Sequence, residues 1–154
     1  MSTKLVPPAG FAYHNNKIIR GSYPADSGNV AFIANMGIRK FVSIGVGFPG
    51  EPERNHGRIH KIELIHFPVH SGFSHDKPYS DAIDYMLTKN PDSRFYVYDD
   101  NGYSFVGIFC AILRRIEGWD TPAAIEECMR FFPSGKMPAS QIRFIDSFDI
   151  SKWR

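Results

Sequence analysis

The stretch "FYVYDDNGYSFVG", residues 95–107, decides how the rest of the chain is read. Residues 95–98 are β-formers, a polar turn with Gly102 follows, and the run "SFVGIFCAILRRIEGW" (104–119) is apolar enough to be a buried helix. A strand, a loop and a helix N-terminus in that order form a cradle for anions, because the first backbone N–H groups of the helix have no partners within it. This cradle, however, contains Asp99 and Asp100 and no Cys, Lys or Arg. An anion site furnished with two carboxylates is the feature any functional reading has to explain.

Outward from the stretch, the same alternation repeats. "IRKFVSIGV" (38–46) and "IELIHFPV" (62–69) read as strands. "DSGNVAFIANMG" (26–37) reads as a helix capped by Asp26 or Ser27, with Phe32, Ile33 and Met36 on its apolar face and Gly37 closing it. "PYSDAIDYMLTKN" (78–90) reads as a helix with Ile83, Met86 and Leu87 inward. "TPAAIEECMRFF" (121–132) opens with a Thr121 cap and Pro122 at the first helical position, and "PASQIRFIDSF" (138–148) opens in a similar way. Residues 11–24 fit two short strands about an Asn15-Asn16 turn, and 49–61 a polar loop or short helix. Alternating strands and helices imply an α/β fold, a three-layer α/β/α sandwich on a mostly parallel sheet, with ligands beyond the carboxyl ends of the strands. The expected division is an extended, proline-stiffened arm over 1–10 and one domain over 11–154.

Composition narrows the function classes. With 154 residues, 43% hydrophobic and 22% charged, the chain can bury a core of ordinary size. The net charge is +2 and the basic residues are scattered, so nucleic acid is not an expected partner. The pair Arg114-Arg115 reads as a solvated helix face. No apolar run reaches the roughly 18–20 residues of a membrane span. Cys110 and Cys128 form no C-x-x-C pair and read as free thiols in helix cores, which points to a reducing, cytoplasmic setting.

Several segments then carry a family resemblance. "LVPPAGFAY" (5–13), "IIRGSYP" (18–24), "FIANMGIRKFVSIG" (32–45), Trp119 and "SQIRFIDSFD" (140–149) follow one another in an order and spacing similar to the plant-and-fungal atypical dual-specificity phosphatases. These are members of the Cys-based protein tyrosine phosphatase superfamily, and the resemblance runs over roughly residues 5–149. It implies the Cys-phosphatase fold.

The family's catalytic loop is H-C-x-x-G-x-x-R-S/T-G, and its glycines fall on Gly102 and Gly107. In that register the His position is Tyr98, the nucleophilic Cys position Asp99, the Arg position Phe105 and the Ser/Thr position Val106. A phosphatase of this type needs a thiolate nucleophile and a guanidinium for the equatorial oxygens. Neither cysteine can substitute, since the residue six after Cys110 is Ile116 and six after Cys128 is Pro133. Asp99 as a nucleophile would follow aspartyl-phosphate chemistry, which calls for Mg²⁺ and further oxygen ligands. The expectation is instead that Asp99 is an ionised internal plug with a depressed pKa, and that Phe105 fills the clamp position with apolar surface, joined by Tyr103.

The movable acid segment of the family aligns with "HSGFSHDKPYSD" (70–81), where Asp76 or Asp81 could stand as a vestigial acid or serve as a cap or surface acid. His66, His70 and His75 do not share zinc-ligand spacing, and neither a metal nor a cofactor is expected. Taken together, these readings predict a non-enzyme: a pseudophosphatase acting as scaffold, regulatory or structural subunit through protein partners, which include related phosphatase-like chains. The alternatives are an inositol-pyrophosphate or phosphoester phosphatase with unconventional catalysis, and a module that holds a phosphorylated ligand without cleaving it.

Overall fold

Alternate residues of each strand face opposite sides of the sheet, and the two apolar clusters of the chain divide along that line. The computed structural model describes residues 4–45, 58, 60–69 and 75–154. In chain order the elements are β1 (Ala12–Tyr13), β2 (Ile18–Ser22), α1 (Ser27–Asn35), β3 (Lys40–Gly45), β4 (Glu63–Pro68), α2 (Lys77–Ile83), β5 (Phe95–Asp99), α3 (Phe105–Ile116), α4 (Thr121–Met129) and α5 (Ala139–Ser147). The sheet order is β1-β2-β5-β3-β4, antiparallel at β1 and parallel elsewhere. β5 is therefore the middle strand, and its carboxyl end delivers the 99–105 loop to the centre of the sheet.

Ile19, Phe41, Tyr96 and Tyr98 face α1, where they meet Val30 and Ile33. Ile18, Val42, Phe95 and Val97 face the other way, against α2, α3, α4 and α5. Helices thus cover both faces, as a mostly parallel sheet requires. Residues Val106–Leu113 of α3 are all buried, as the uncharged sequence predicts. Cys110 and Cys128 are free and buried in α3 and α4.

The N-terminal arm runs along α1 rather than into solvent. The Val6 N–H donates to Gly28 O, the Asn29 side chain donates to Val6 O, and the Ser22 N–H reaches Ala9 O. Asp26, not Ser27, caps α1 by accepting from the Asn29 N–H at 2.9 Å, and Gly37 ends it with φ 84°.

Three local readings are corrected. The α2 segment continues over Asp84–Lys89 as a π-helix, whose wider turn carries Met86 into the core but leaves Leu87 38% exposed. The cap of α4 lies one residue early: Asp120 accepts from the Ala123 N–H at 2.9 Å, and Thr121 is the first helical residue. Removing that carboxylate (Asp120→Ala) is expected to cost about 1 kcal/mol in urea unfolding. Arg114 and Arg115 are not simply solvated. Arg114 forks onto Glu127, bonds Glu117 and stacks on Trp119, while Arg115 holds Ile145 O and Phe148 O at the end of α5. The expected loop or short helix over 49–61 lies mostly outside the described residues, as do Val46 and His70.

Candidate functional site

Asp99 ends β5 with the same parity as Phe95 and Val97, so its side chain enters the α3 side of the sheet. It is 4% exposed. One carboxylate oxygen, Oδ1, accepts from the Gly102 N–H at 2.7 Å. The other, Oδ2, accepts from Phe105 N–H at 2.6 Å and Val106 N–H at 3.3 Å. The last two donors belong to the first turn of α3, whose capping position, Ser104, makes no side-chain cap bond of its own. Asn101 Oδ1 accepts from two further loop donors, Tyr103 N–H and Ser104 N–H. The cradle is present, and the Asp99 carboxylate sits in it.

The ionisation of that carboxylate departs from the sequence expectation. Burial pushes the Asp99 acid up from its usual range, and the three backbone donors offset this only in part, with neighbouring Asp100 adding to the rise. The expectation of a depressed pKa weighed the loop donors and left out the depth of the site. A charged carboxylate here still repels phosphate. At about 4 Å and an effective dielectric of about 20, each unit of ligand charge meets about 4 kcal/mol of repulsion, roughly a thousandfold in affinity.

Gly102 makes the loop possible. Its φ is +86°, and a Cβ there would lie 3.0 Å from the Ser22 N. Gly107 is packed as closely: a Cβ would meet Cys128 Sγ at 3.0 Å. The two glycines that set the register are thus explained by close approach, at the end of β2 and at α4.

Of the other register positions, Tyr98 points to the opposite face, where it packs on Phe41 and Tyr96. Val106 is buried in the first turn of α3 and donates to Asp99. Phe105 is half-buried and lies close to Gly45 at the end of β3. Tyr103 meets Phe132, with ring centroids 5.0 Å apart.

The acid-segment residues do not join the loop. Asp76 is exposed at the start of α2 and makes no side-chain cap bond. Asp81 is paired with Lys77 at 3.1 Å, and the two line a cavity of about 400 Å³ with Phe67, Pro68, His75 and Pro78. His66 Nδ1 lies 3.1 Å from Ser43 Oγ. Among the described residues no group of three or more His, Cys, Asp or Glu side chains could hold a metal ion. No described helix is long and apolar enough to cross a membrane.

Sequence reasoning missed Arg20. It lies in β2 at 2% exposure, stacks its guanidinium 3.7 Å from the centre of the Phe131 ring, and donates from Nη2 to Gly102 O at 3.5 Å. An Arg directly after Ile18-Ile19, inside a segment expected to be a strand, was the available signal. Beside it, His14 Nε2 is 2.7 Å from Glu117 Oε2. Burial alone would lower the His14 pKa, but bonds to Cys110 and Glu117 outweigh it and raise it to about 9. Cys110 is affected in reverse: burial would raise it, and Arg20 with His14 draw it down.

The likenesses to known proteins agree with this architecture. The inositol diphosphatase DSP2 of Arabidopsis thaliana is 23% identical, over 96% of this chain and 71% of its own length. The inositol diphosphatase DSP1 of Oryza sativa subsp. japonica is 25% identical, over 96% of this chain and 67% of its own. Among solved structures, the core catalytic domain of the PP-IP phosphatase SIW14 from S. cerevisiae, in complex with citrate, superposes with a TM-score of 0.87 at 18% identity, covering 97% of this chain and 91% of that one. These relatives overturn the expectation of a scaffold or regulatory subunit working through protein partners, because the proteins similar along nearly the whole chain are named for phosphatase activity on inositol diphosphates. The model of the tyrosine phosphatase family matches residues 5–153, and with the two-sided sheet and the strand–loop–helix cradle in place, the chain belongs to that family.

Proposed function

We propose that the chain is a phosphoester-recognising member of its family, with inositol diphosphates as the ligand class, and that bound ligand is not turned over by a thiolate. The observation that carries the ligand class is the similarity, over 96% of the chain, to two inositol diphosphatases. The absence of thiolate turnover is supported by the register itself. Asp99 and Phe105 stand where the covalent route needs cysteine and arginine, and both cysteines are buried in helices. The ligand would approach at the carboxyl ends of the parallel strands, where the cavity beside His75 and Lys77 opens. Free, buried thiols fit a cytoplasmic setting, and fractionation of cells expressing the chain tests that part.

A second reading, hydrolysis with Asp99 as nucleophile, is favoured by one observation: its carboxylate occupies the cradle in the nucleophile's register. Against it, both oxygens are already bonded to the backbone, and attack would have to break those bonds.

Calorimetry with an inositol pyrophosphate, run beside a phosphate-release assay on the same ligand, separates the readings. The expected result is binding without release. Release that disappears in Asp99→Asn supports the carboxylate route. Neither binding nor release would remove the ligand class.

A further inference from the structure

We propose that Cys110 is an oxidation site: a buried thiolate, paired with His14 and Arg20, that hydrogen peroxide converts to a sulfenic acid. The site lies in the core between β2, α3 and α4 and does not depend on the inositol ligand class.

Charge in this part of the core does not balance without an anion at Cys110. Arg20 is 2% exposed, and the neighbours it bonds or stacks on, Gly102 O and the Phe131 ring, are uncharged. Among the described residues no carboxylate pairs with it. Glu117 is taken by His14 at 2.7 Å and Arg114 at 2.8 Å, and Glu127 by Arg114 at 2.8 Å. A guanidinium does not shed its proton, so its burial calls for a partner of negative charge.

Unspent donors are the second, independent observation. Arg20 Nε has no hydrogen-bond partner among the described residues, and His14 Nδ1 has no oxygen or nitrogen partner. His14 is 4% exposed, and its Nε2 is spent on Glu117. What the two cations share is Cys110, which is fully buried: the imidazole bonds it, and the Arg20 charge acts on it. Burial would raise the Cys110 thiol, and Arg20 followed by His14 draw it below its usual value. Cys128 is the contrast. Its Sγ sits against Gly107, where a Cβ would lie 3.0 Å away, with Arg20 Nη2 3.8 Å from the same point. Burial pushes the Cys128 thiol up to about 12, and Arg20 offsets only part of that.

The thiolate, not the thiol, is the nucleophile toward peroxide. Sulfur attacks one peroxide oxygen, an S–O bond forms and the O–O bond breaks. The departing hydroxide takes the proton of His14 and leaves as water. Sulfur loses two electrons in becoming the sulfenic acid, and the peroxide gains them. Peroxide is small and uncharged, so entry needs only local opening at His14, which directly follows the two-residue edge strand β1. The charged and titratable groups that face Cys110 are His14 beside β1, Arg20 on β2, Glu117 just past α3, and Glu127 and Cys128 on α4. His14 keeps its proton up to about pH 9, so the pair persists across the neutral range.

The test treats the folded full-length chain with hydrogen peroxide, blocks the remaining thiols in denaturant, and follows each cysteine by peptide mass. Cys110 is followed in Cys128→Ser and Cys128 in Cys110→Ser, so that neither thiol consumes the other's product. Cys110 is expected to react at least tenfold faster than Cys128. Its rate is expected to change less than threefold between about pH 6 and about pH 8, whereas an ordinary thiol of pKa about 8.5 gains roughly 80-fold over that range. His14→Gln is expected to slow Cys110 at least tenfold near pH 6 and to restore a steep rise with pH. Equal rates at the two cysteines mark reaction through global unfolding and overturn the proposal. So does an 80-fold rise in wild type, a flat profile that survives in His14→Gln, or a Cys110 that outlasts free cysteine a thousandfold. Should a variant not fold, the pH profile of Cys110 in wild type decides: flat upholds the thiolate, and steep overturns it.

Discussion

Lifting the pH from about 6.5 to about 9 is expected to remove about 3 kcal/mol of folding stability through His14. The imidazole is 4% exposed and its pKa is raised from 6.5 to about 9 by Cys110 and Glu117, against the burial that would lower it. A raised pKa means the folded chain holds the proton longer than the unfolded one. The stabilisation is therefore complete below the unfolded value and is lost as pH rises through the folded one. Cys110 is drawn down and so works in the opposite sense, gaining as pH rises, which calls for a difference measurement. Glu117→Gln keeps Cys110 and removes the carboxylate partner. It is expected to cost about 1.5–3 kcal/mol more near pH 6 than near pH 10, where only the bond from Arg114 to Glu117 remains to be lost, read as urea midpoints across the range. An equal cost at both ends would show that the pair is not ionic.

Gly102→Ala is the second large effect, at about 3 kcal/mol or more. Two penalties coincide at this position. A φ of +86° costs an L-residue about 1–3 kcal/mol, and the new Cβ would press on the Ser22 N at 3.0 Å, the Gly21 carbonyl carbon at 3.2 Å and Ser22 Cβ at 3.2 Å. Those atoms are backbone or close to it and cannot rotate away. Gly118→Ala is the internal control, because its φ is +103° but nothing lies within 4 Å of the added carbon. It is expected to lose only the backbone part, about 1 kcal/mol. If both variants unfold at the same urea concentration, the close approach of the loop to β2 is not what requires the glycine.

Much of this was legible in the sequence because it depends on local pattern. Runs of β-forming residues placed β3, β4 and β5, uniform apolarity placed α3 in the core, and Gly102 with Gly107 fixed the register of the loop. The cradle bonds to Asp99 followed from that register. Quantities set by burial and distant pairing were not legible. Asp99 was expected to be a stronger acid because its donors are local, while the desolvation that outweighs them comes from the packed elements around it. His14 and Glu117 are 103 residues apart, and Arg20 reaches a carbonyl 82 residues away. The π-helical turn after Ile83 widens a pattern that the sequence writes at ordinary helical spacing. The scaffold reading failed for a different reason. Loss of a nucleophile argues against one reaction, and it says little about which ligand the rest of the chain still recognises.

The position of β5 has a consequence for biosynthesis. It is the last strand in the chain and lies in the middle of the sheet, between β2 and β3. Until residues 95–99 have left the ribosome, β2 and β3 have no neighbour on their inner sides, and each presents an apolar, unpaired edge. From the completion of β3 at Gly45 until β5 emerges, the nascent chain therefore carries two sticky edges, through about a third of the synthesis of its 154 residues. A fragment ending before Phe95 is expected to aggregate, whereas the same strands in the full-length chain are sealed in one insertion step.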